Sequence, residues 1–293
     1  MFGITFFVLK RMPRVFTLMF SFITVFLTVF LLLGCHDPAQ HSTYVTRYQF
    51  NKASPLYPVI QNSFAADNAT KGLEKVRVYV GYLGVCVRDI PPAYSSESIA
   101  CFGRKNFTSS PLYDALNIKV FNIPSAKSED SKNTQLNMLE LAHIQVADVM
   151  QPYLLSACTI LTLLMFFMIV YVLIPMLPSK RVFHIGLVAI TPVLVILFSA
   201  SSIWTHVAST SAKRLIPQAS MDIIAISKGK KASSMTWLSC ILIILNCIIL
   251  WAVYIKDRRN EDDEPPQRAE YNKYSRNDYG RYPSDGSTIE SKR

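Results

Sequence analysis

VFTLMFSFITVFLTVFLLL, residues Val15–Leu33, carries no charged residue. The hydrocarbon core of a bilayer takes about 20 apolar residues of helix, because backbone groups there find no water and must pair within their own segment. Three further stretches meet the same test. Tyr153–Leu177 is closed by Pro175 and Pro178, Val182–Trp204 holds His184 near its start and Pro192 inside, and Met235–Ile255 holds Asn246 near its middle. A soluble core would break such runs with polar residues at helical or strand spacing. Of the 293 residues 51% are hydrophobic and 17% charged, as four long spans require. The expected fold class is mainly α, a four-helix transmembrane bundle.

Working outward, Lys10, Arg11 and Arg14 precede the first span, Lys180 and Arg181 fill the turn after the second, and Lys256, Arg258 and Arg259 follow the fourth. An even number of spans puts all of these on one side, which the positive-inside rule makes cytoplasmic. Lys213, Arg214, Lys228, Lys230 and Lys231 run against this, since the loop between the third and fourth spans would then lie outside. Two sequons, at Asn68 and Asn106, and three of the six cysteines support an outer loop. The expected organisation is a cytoplasmic segment 1–14, spans at 15–33, 153–177, 182–204 and 235–255, outer loops 34–152 and 205–234, a cytoplasmic turn 178–181 and a disordered cytoplasmic tail 256–293. The expected location is the plasma membrane with both termini inside. The first span has a rival reading, because Leu32-Leu33-Gly34-Cys35 resembles a lipoprotein signal ending in its lipidated cysteine. Its apolar run is longer than the 7–15 residues of a signal core, which favours a retained span.

The large outer loop contains a strand signal, Val76, Val78 and Val80 alternating with Arg77 and Tyr79. It leads into Gly81-Tyr82-Leu83-Gly84-Val85-Cys86, where glycines at that spacing suit a backbone that approaches another closely or bulges. Cys86 and Cys101 enclose a short segment. Bridging them would constrain the unfolded chain by about 3 kcal/mol, and the alternative is two free thiols. An oxidising exterior favours the bridge, and hence a disulfide-bearing extracellular loop with short β-strands. Cys35 is then left either unpaired at the membrane surface or for a second subunit. Cys158, Cys240 and Cys247 read as packing residues within spans. An apolar stretch at Leu215–Ile226 in the second loop is suited to packing on the first.

Nothing in the chain assembles a catalytic constellation: there is no phosphate loop, no paired Cys-x-x-Cys and no His-Glu-x-x-His. No catalytic residue, metal site or cofactor is expected. Glu129, Asp130 and Glu140 lack calcium-loop spacing and read as solvated charge. The spans hold no Asp, Glu, Lys or Arg, as pumps and voltage sensors usually would. Asn246 is expected to bond to a neighbouring helix. The net charge of +10 is scattered over loops and termini, which points to lipid flanks and away from nucleic acid.

Leu33-Gly34-Cys35, the Gly81–Cys86 element with Cys101, Leu136-Asn137-Met138-Leu139 with Ala142, and Gln151-Pro152-Tyr153-Leu154-Leu155 resemble the fungal mating-factor-induced family of calcium regulators and membrane-fusion proteins. The plan is claudin-like, and the resemblance covers roughly Val78–Lys256 plus the first-span cysteine. Thr134-Gln135 stands where that family tends to have Asp-Pro, and the loop lacks the claudin tryptophan. The resemblance implies low-affinity calcium influx and cell–cell membrane fusion during mating. It also implies partners among membrane lipids and other plasma-membrane proteins, a calcium channel or a partner-cell protein among them, with self-association a further mode. Two other functional readings are an organiser of cortical membrane domains or wall integrity, and a subunit of an ion pore.

Overall fold

The computed structural model describes residues 2–65, 70–92, 95–104, 111–121, 134–174 and 180–262. One compact unit spans Met1–Leu250, and a second begins at Trp251, its described part being the end of the last helix. Among the described residues four helices are long and apolar enough to cross a membrane. They are α1 (Phe2–Leu33), α5 (Pro152–Leu173), α6 (Lys180–Ala219) and α7 (Lys230–Asp262). Phe22, Phe26, Phe30, Ile160, Phe167, Ile196 and Ile248 stand exposed along them. An apolar surface of this kind suits lipid and not water. The protein is therefore a membrane protein.

Between α1 and α5 the chain forms β1 (Thr46–Phe50), α2 (Tyr57–Ala65), β2 (Arg77–Val80), β3 (Gly84–Arg88), β4 (Ile99–Gly103), α3 (Pro111–Ala115), β5 (Asn117–Phe121), β6 (Thr134–Asn137) and α4 (Met138–Ile144). A π-helical turn, Gln145–Val149, leads to α5, and Pro152 opens that helix where a missing N–H costs nothing. One more strand, β7 (Ile224–Lys228), lies between α6 and α7. The main sheet runs β4-β3-β2-β1-β7, every pair antiparallel, and β5 and β6 form a separate ribbon.

The sheet is thus built from both the α1–α5 and the α6–α7 connections. β7 pairs along the whole of β1, Tyr48 opposite Ile226 and Phe50 opposite Ile224. Ile223, Ile224 and Ile226 join Tyr48, Phe50, Val78 and Leu139 in one core. This is the packing expected of the Leu215–Ile226 stretch. Helix α6 has 40 residues, about 60 Å at 1.5 Å per residue, against a hydrocarbon thickness of about 30 Å. It leaves the bilayer as helix, and its Ala212 and Ile216 pack on the sheet core. The fall in hydropathy after Trp204 marks an edge of apolar sequence and not a helix end. The last helix likewise starts at Lys230, before Met235, and continues to Asp262 past Ile255, where the tail was expected to lose structure.

The Leu136–Ala142 stretch folds as a capped helix. Asn137 accepts from the Leu139 and Glu140 N–H groups at 2.9 and 3.4 Å and donates to the Tyr113 carbonyl at 2.8 Å. Its cap satisfies orphan donors of α4, and Met138, Leu139 and Ala142 are buried in the sheet core.

Candidate functional site

The Gly81–Cys101 segment holds the β2–β3 turn, all of β3 and the start of β4. Cys86 and Cys101 face each other in register, Cα atoms 4.0 Å apart, and are joined by a disulfide. β4 ends the sheet, and among the described strands it pairs only with β3. Arg104, just beyond it, donates to the Ala147 carbonyl and lies 5.5 Å over the Tyr153 ring at the entrance to α5. Asp89 forms ion pairs with Arg77 at 3.2 Å and with Arg88 at 3.6 Å, with all three side chains partly exposed.

The glycine element is a joint. The Gly81 N–H donates to the Gly84 carbonyl at 2.9 Å, closing the turn. A Cβ on Gly81 would run into the Gly34 carbonyl and come within 2.9 Å of the Cys35 Cβ. One on Gly84 would sit 2.5 Å from the Cys35 carbonyl oxygen and 2.7 Å from that of Phe102. Both glycines therefore exist to let the exit of α1 lie against the hairpin. Gly81, Tyr82 and Gly84 are buried, so the turn itself offers no contact surface. Tyr82, 2% exposed, points into the core of the membrane helices, and its hydroxyl shares a 2.9 Å hydrogen bond with Thr205 of α6. Burial raises the phenol above its usual range.

Cys35 is neither at the surface nor open to a second subunit. It is fully buried, has φ +59°, and packs with Tyr79 and the Cys86–Cys101 pair. Its thiol lies 3.7 Å from the Thr43 carbonyl as a weak donor, and burial pushes it up to about 12. Among the described residues no three His, Cys, Asp or Glu side chains gather to hold a metal ion.

The model of the family "Ca2+ regulator and membrane fusion protein Fig1" matches residues 62–256. The Factor-induced gene 1 protein of Saccharomyces cerevisiae is 40% identical over 294 residues, covering 97% of this chain and 96% of the yeast protein. The chain belongs to the Fig1 family. No solved structure matches it. The family name describes regulation and fusion, not an enzyme class.

The Fig1 match begins inside α2 and ends on α7, so it takes in β2, β3, β4 and β7 but not Gly34 and Cys35. Asn246, fully buried on α7, faces the backbone of α1. Turned to satisfy both groups, its amide donates to the Thr17 carbonyl and accepts from the Ser21 N–H, each at 3.2 Å. The sequons at Asn68 and Asn106 lie outside the described residues. Sequence reasoning missed three members of the architecture. Gly229 brings β7 so close to β1 that a Cβ would strike the Tyr44 carbonyl. Gln145 accepts from Thr46 at 3.0 Å and from the Tyr48 hydroxyl. Thr205 holds Tyr82. A glycine directly before a long helix was the one available signal, for Gly229.

Proposed function

We propose that the protein acts at the plasma membrane of a mating fungal cell, supporting low-affinity calcium influx and helping paired membranes meet and fuse. The carrying observation is 40% identity to the yeast Factor-induced gene 1 protein over 97% of this chain. The family name supplies both roles, calcium regulation and membrane fusion. In this reading both termini are cytoplasmic and the main sheet faces outward. Lys10, Arg11, Arg14 and Lys256 favour that side as cytoplasmic, and a disulfide suits an oxidising exterior. Asn68 and Asn106 are then available for glycosylation.

The proposed contact surface is the outer edge of β4. A terminal strand offers unpaired backbone groups to another chain, and the Cys86–Cys101 bridge ties this strand to the sheet. Its partner is a membrane protein in the same or the apposed membrane, a calcium channel or a partner-cell protein, or a second copy. The protein acts by contact and not by catalysis. Asn246 serves to hold α7 on α1.

Deletion in a mating-competent fungus, scored for calcium uptake and fusion together, tests the reading. Both should fall and return with the wild-type gene, and a deletion strain that keeps both refutes it. Purified protein in calcium-free vesicles should pass no calcium unaided; flux there would instead make it a pore.

A further inference from the structure

One face of the main sheet packs on the apolar core, and the other is cationic. Ile226, Tyr48, Val78 and Val87 stand in register across β7, β1, β2 and β3 on the core face. Alternation along the strands puts Arg47, Arg77 and Arg88 together on the opposite face. Arg77 lies directly across from Arg88, and Arg47, the partner of Tyr79, lies diagonal to Arg77. The five strands of this sheet contain no Asp or Glu. Cys35 and Tyr44 pack on the neighbouring Tyr79, Cys86 and Cys101, but Arg77 and Arg88 keep 44% and 43% of their side chains exposed.

Like charges directly opposite each other on a sheet repel. Asp89 offsets part of this by pairing with both Arg77 and Arg88, and Arg88 also lies 3.4 Å from the His41 ring. Arg47 has no such relief. Among the described residues its side chain makes no hydrogen bond or ion pair, and its Nε is shut off from solvent without an acceptor. Three guanidinium groups thus share one carboxylate, and the face stays net positive.

Planar guanidinium donors match carboxylates and phosphates, so position and spacing select among anions. Arg77 and Arg88 each stand four residues from the Gly81–Gly84 turn, which meets the helix bundle through Tyr82 and Thr205. Four residues of strand measure about 13 Å, against a headgroup layer of about 5–8 Å, which favours a partner in water over the protein's own lipid. The diagonal from Arg47 to Arg77 spans about 7–8 Å, close to the roughly 7 Å between alternate side chains of an extended peptide. Asp89, seated between two of the arginines, shows that the face accepts a carboxylate.

We propose that this sheet face docks an extended acidic peptide segment of a partner protein, with alternate carboxylates meeting Arg47 and the Arg77–Arg88 pair. The face is separate from the β4 edge, and the proposal depends neither on the mating role nor on which side faces out.

The test uses the full chain in phosphatidylcholine nanodiscs at low salt and reads the fluorescence anisotropy of a labelled peptide alternating glutamate with threonine, beside its glutamine counterpart. Wild type should bind the glutamate peptide alone, and less well as salt rises. Arg47→Gln should weaken binding by about tenfold, the scale of one lost charge-assisted hydrogen bond. Asp89→Asn, a residue that tolerates the same positive φ, frees Arg77 and Arg88 and should tighten binding, a direction that damage to the fold would not give. Lys213→Gln, away from this face, should change nothing. Equal binding by wild type and an Arg47→Gln protein that still forms the Cys86–Cys101 bridge overturns the proposal, as does weaker binding by Asp89→Asn. Should Arg47→Gln fail to fold, the exposed Arg77→Gln decides by the same readout. Heparin bound through Arg47 while the glutamate peptide stays free would assign the face to a sulfated or phosphorylated polymer and overturn the peptide partner.

Discussion

Gly84 and Gly103 sit opposite each other across β3 and β4, yet meet opposite surroundings. A methyl on Gly84 would press on two carbonyl oxygens, while one on Gly103 would meet nothing within 4 Å. Gly84→Ala should therefore destabilise by about 1–3 kcal/mol through backbone displacement, and Gly103→Ala should be near neutral. Thermal unfolding of the two purified variants distinguishes them, and equal melting temperatures would remove the joint. Cys35 makes a second prediction at this scale. Its thiol ordinarily ionises near 9.0 and in the fold near 12. The raised value means that stability from the buried neutral thiol is whole below pH 9 and drains as pH climbs from 9 to 12. Maleimide should therefore spare Cys35 at pH 8 in the folded chain and label it after denaturation. Labelling without denaturant would place the thiol at the surface. The glycine–cysteine spacing was legible as a close backbone approach or a bulge, since either uses a missing Cβ, and the structure shows the approach. Which backbone approaches was not legible, since Gly34 lies far away in sequence and spacing carries no tertiary partner.

At the scale of elements, the β3–β4 pair and α4 depend on different forces. The bridge closes a sequence separation of 15 residues, worth about 3 kcal/mol on the loop-entropy account. Cys86→Ser, Cys101→Ser and the double variant should then lose the same amount, since each abolishes one shared bond. Additive losses in denaturant titrations would mean the two sulfurs act separately. Helix α4 is held by the cap at Asn137 and by burial of Leu139 and Ala142. Asn137→Ala removes the cap and the bond to Tyr113 and should cost about 1–2 kcal/mol, with Asn137→Asp recovering the cap alone. The apolar spans were visible because lipid demands uninterrupted hydropathy. The helix ends were not, because α6 beyond Trp204 exchanges lipid for the sheet as its packing partner, and its polar face then reads as loop.

For the molecule as a whole, the consequence of β7 lying on β1 is that the sheet structure is not a property of the α1–α5 connection alone. Residues 34–151 include β1 to β6 but omit Ile223, Ile224 and Ile226, which complete the core. They also omit Thr205, which anchors Tyr82. A chain cut to 34–151 would expose the outer edge of β1 and an uncovered apolar face, a combination that favours aggregation over folding. Ile224→Asp in the full chain should act similarly, since an unpaired carboxylate at a fully buried position costs more than about 4 kcal/mol. Membrane insertion depends on the hydropathy of the spans, so this variant should remain carbonate-resistant in membranes while its sheet segments become protease-sensitive. Ala225→Asp, on the less buried side of β7, should keep the sheet protease-resistant. A secreted 34–151 fragment that unfolds cooperatively with Cys86 and Cys101 bridged would show that β7 decorates the sheet and does not complete it.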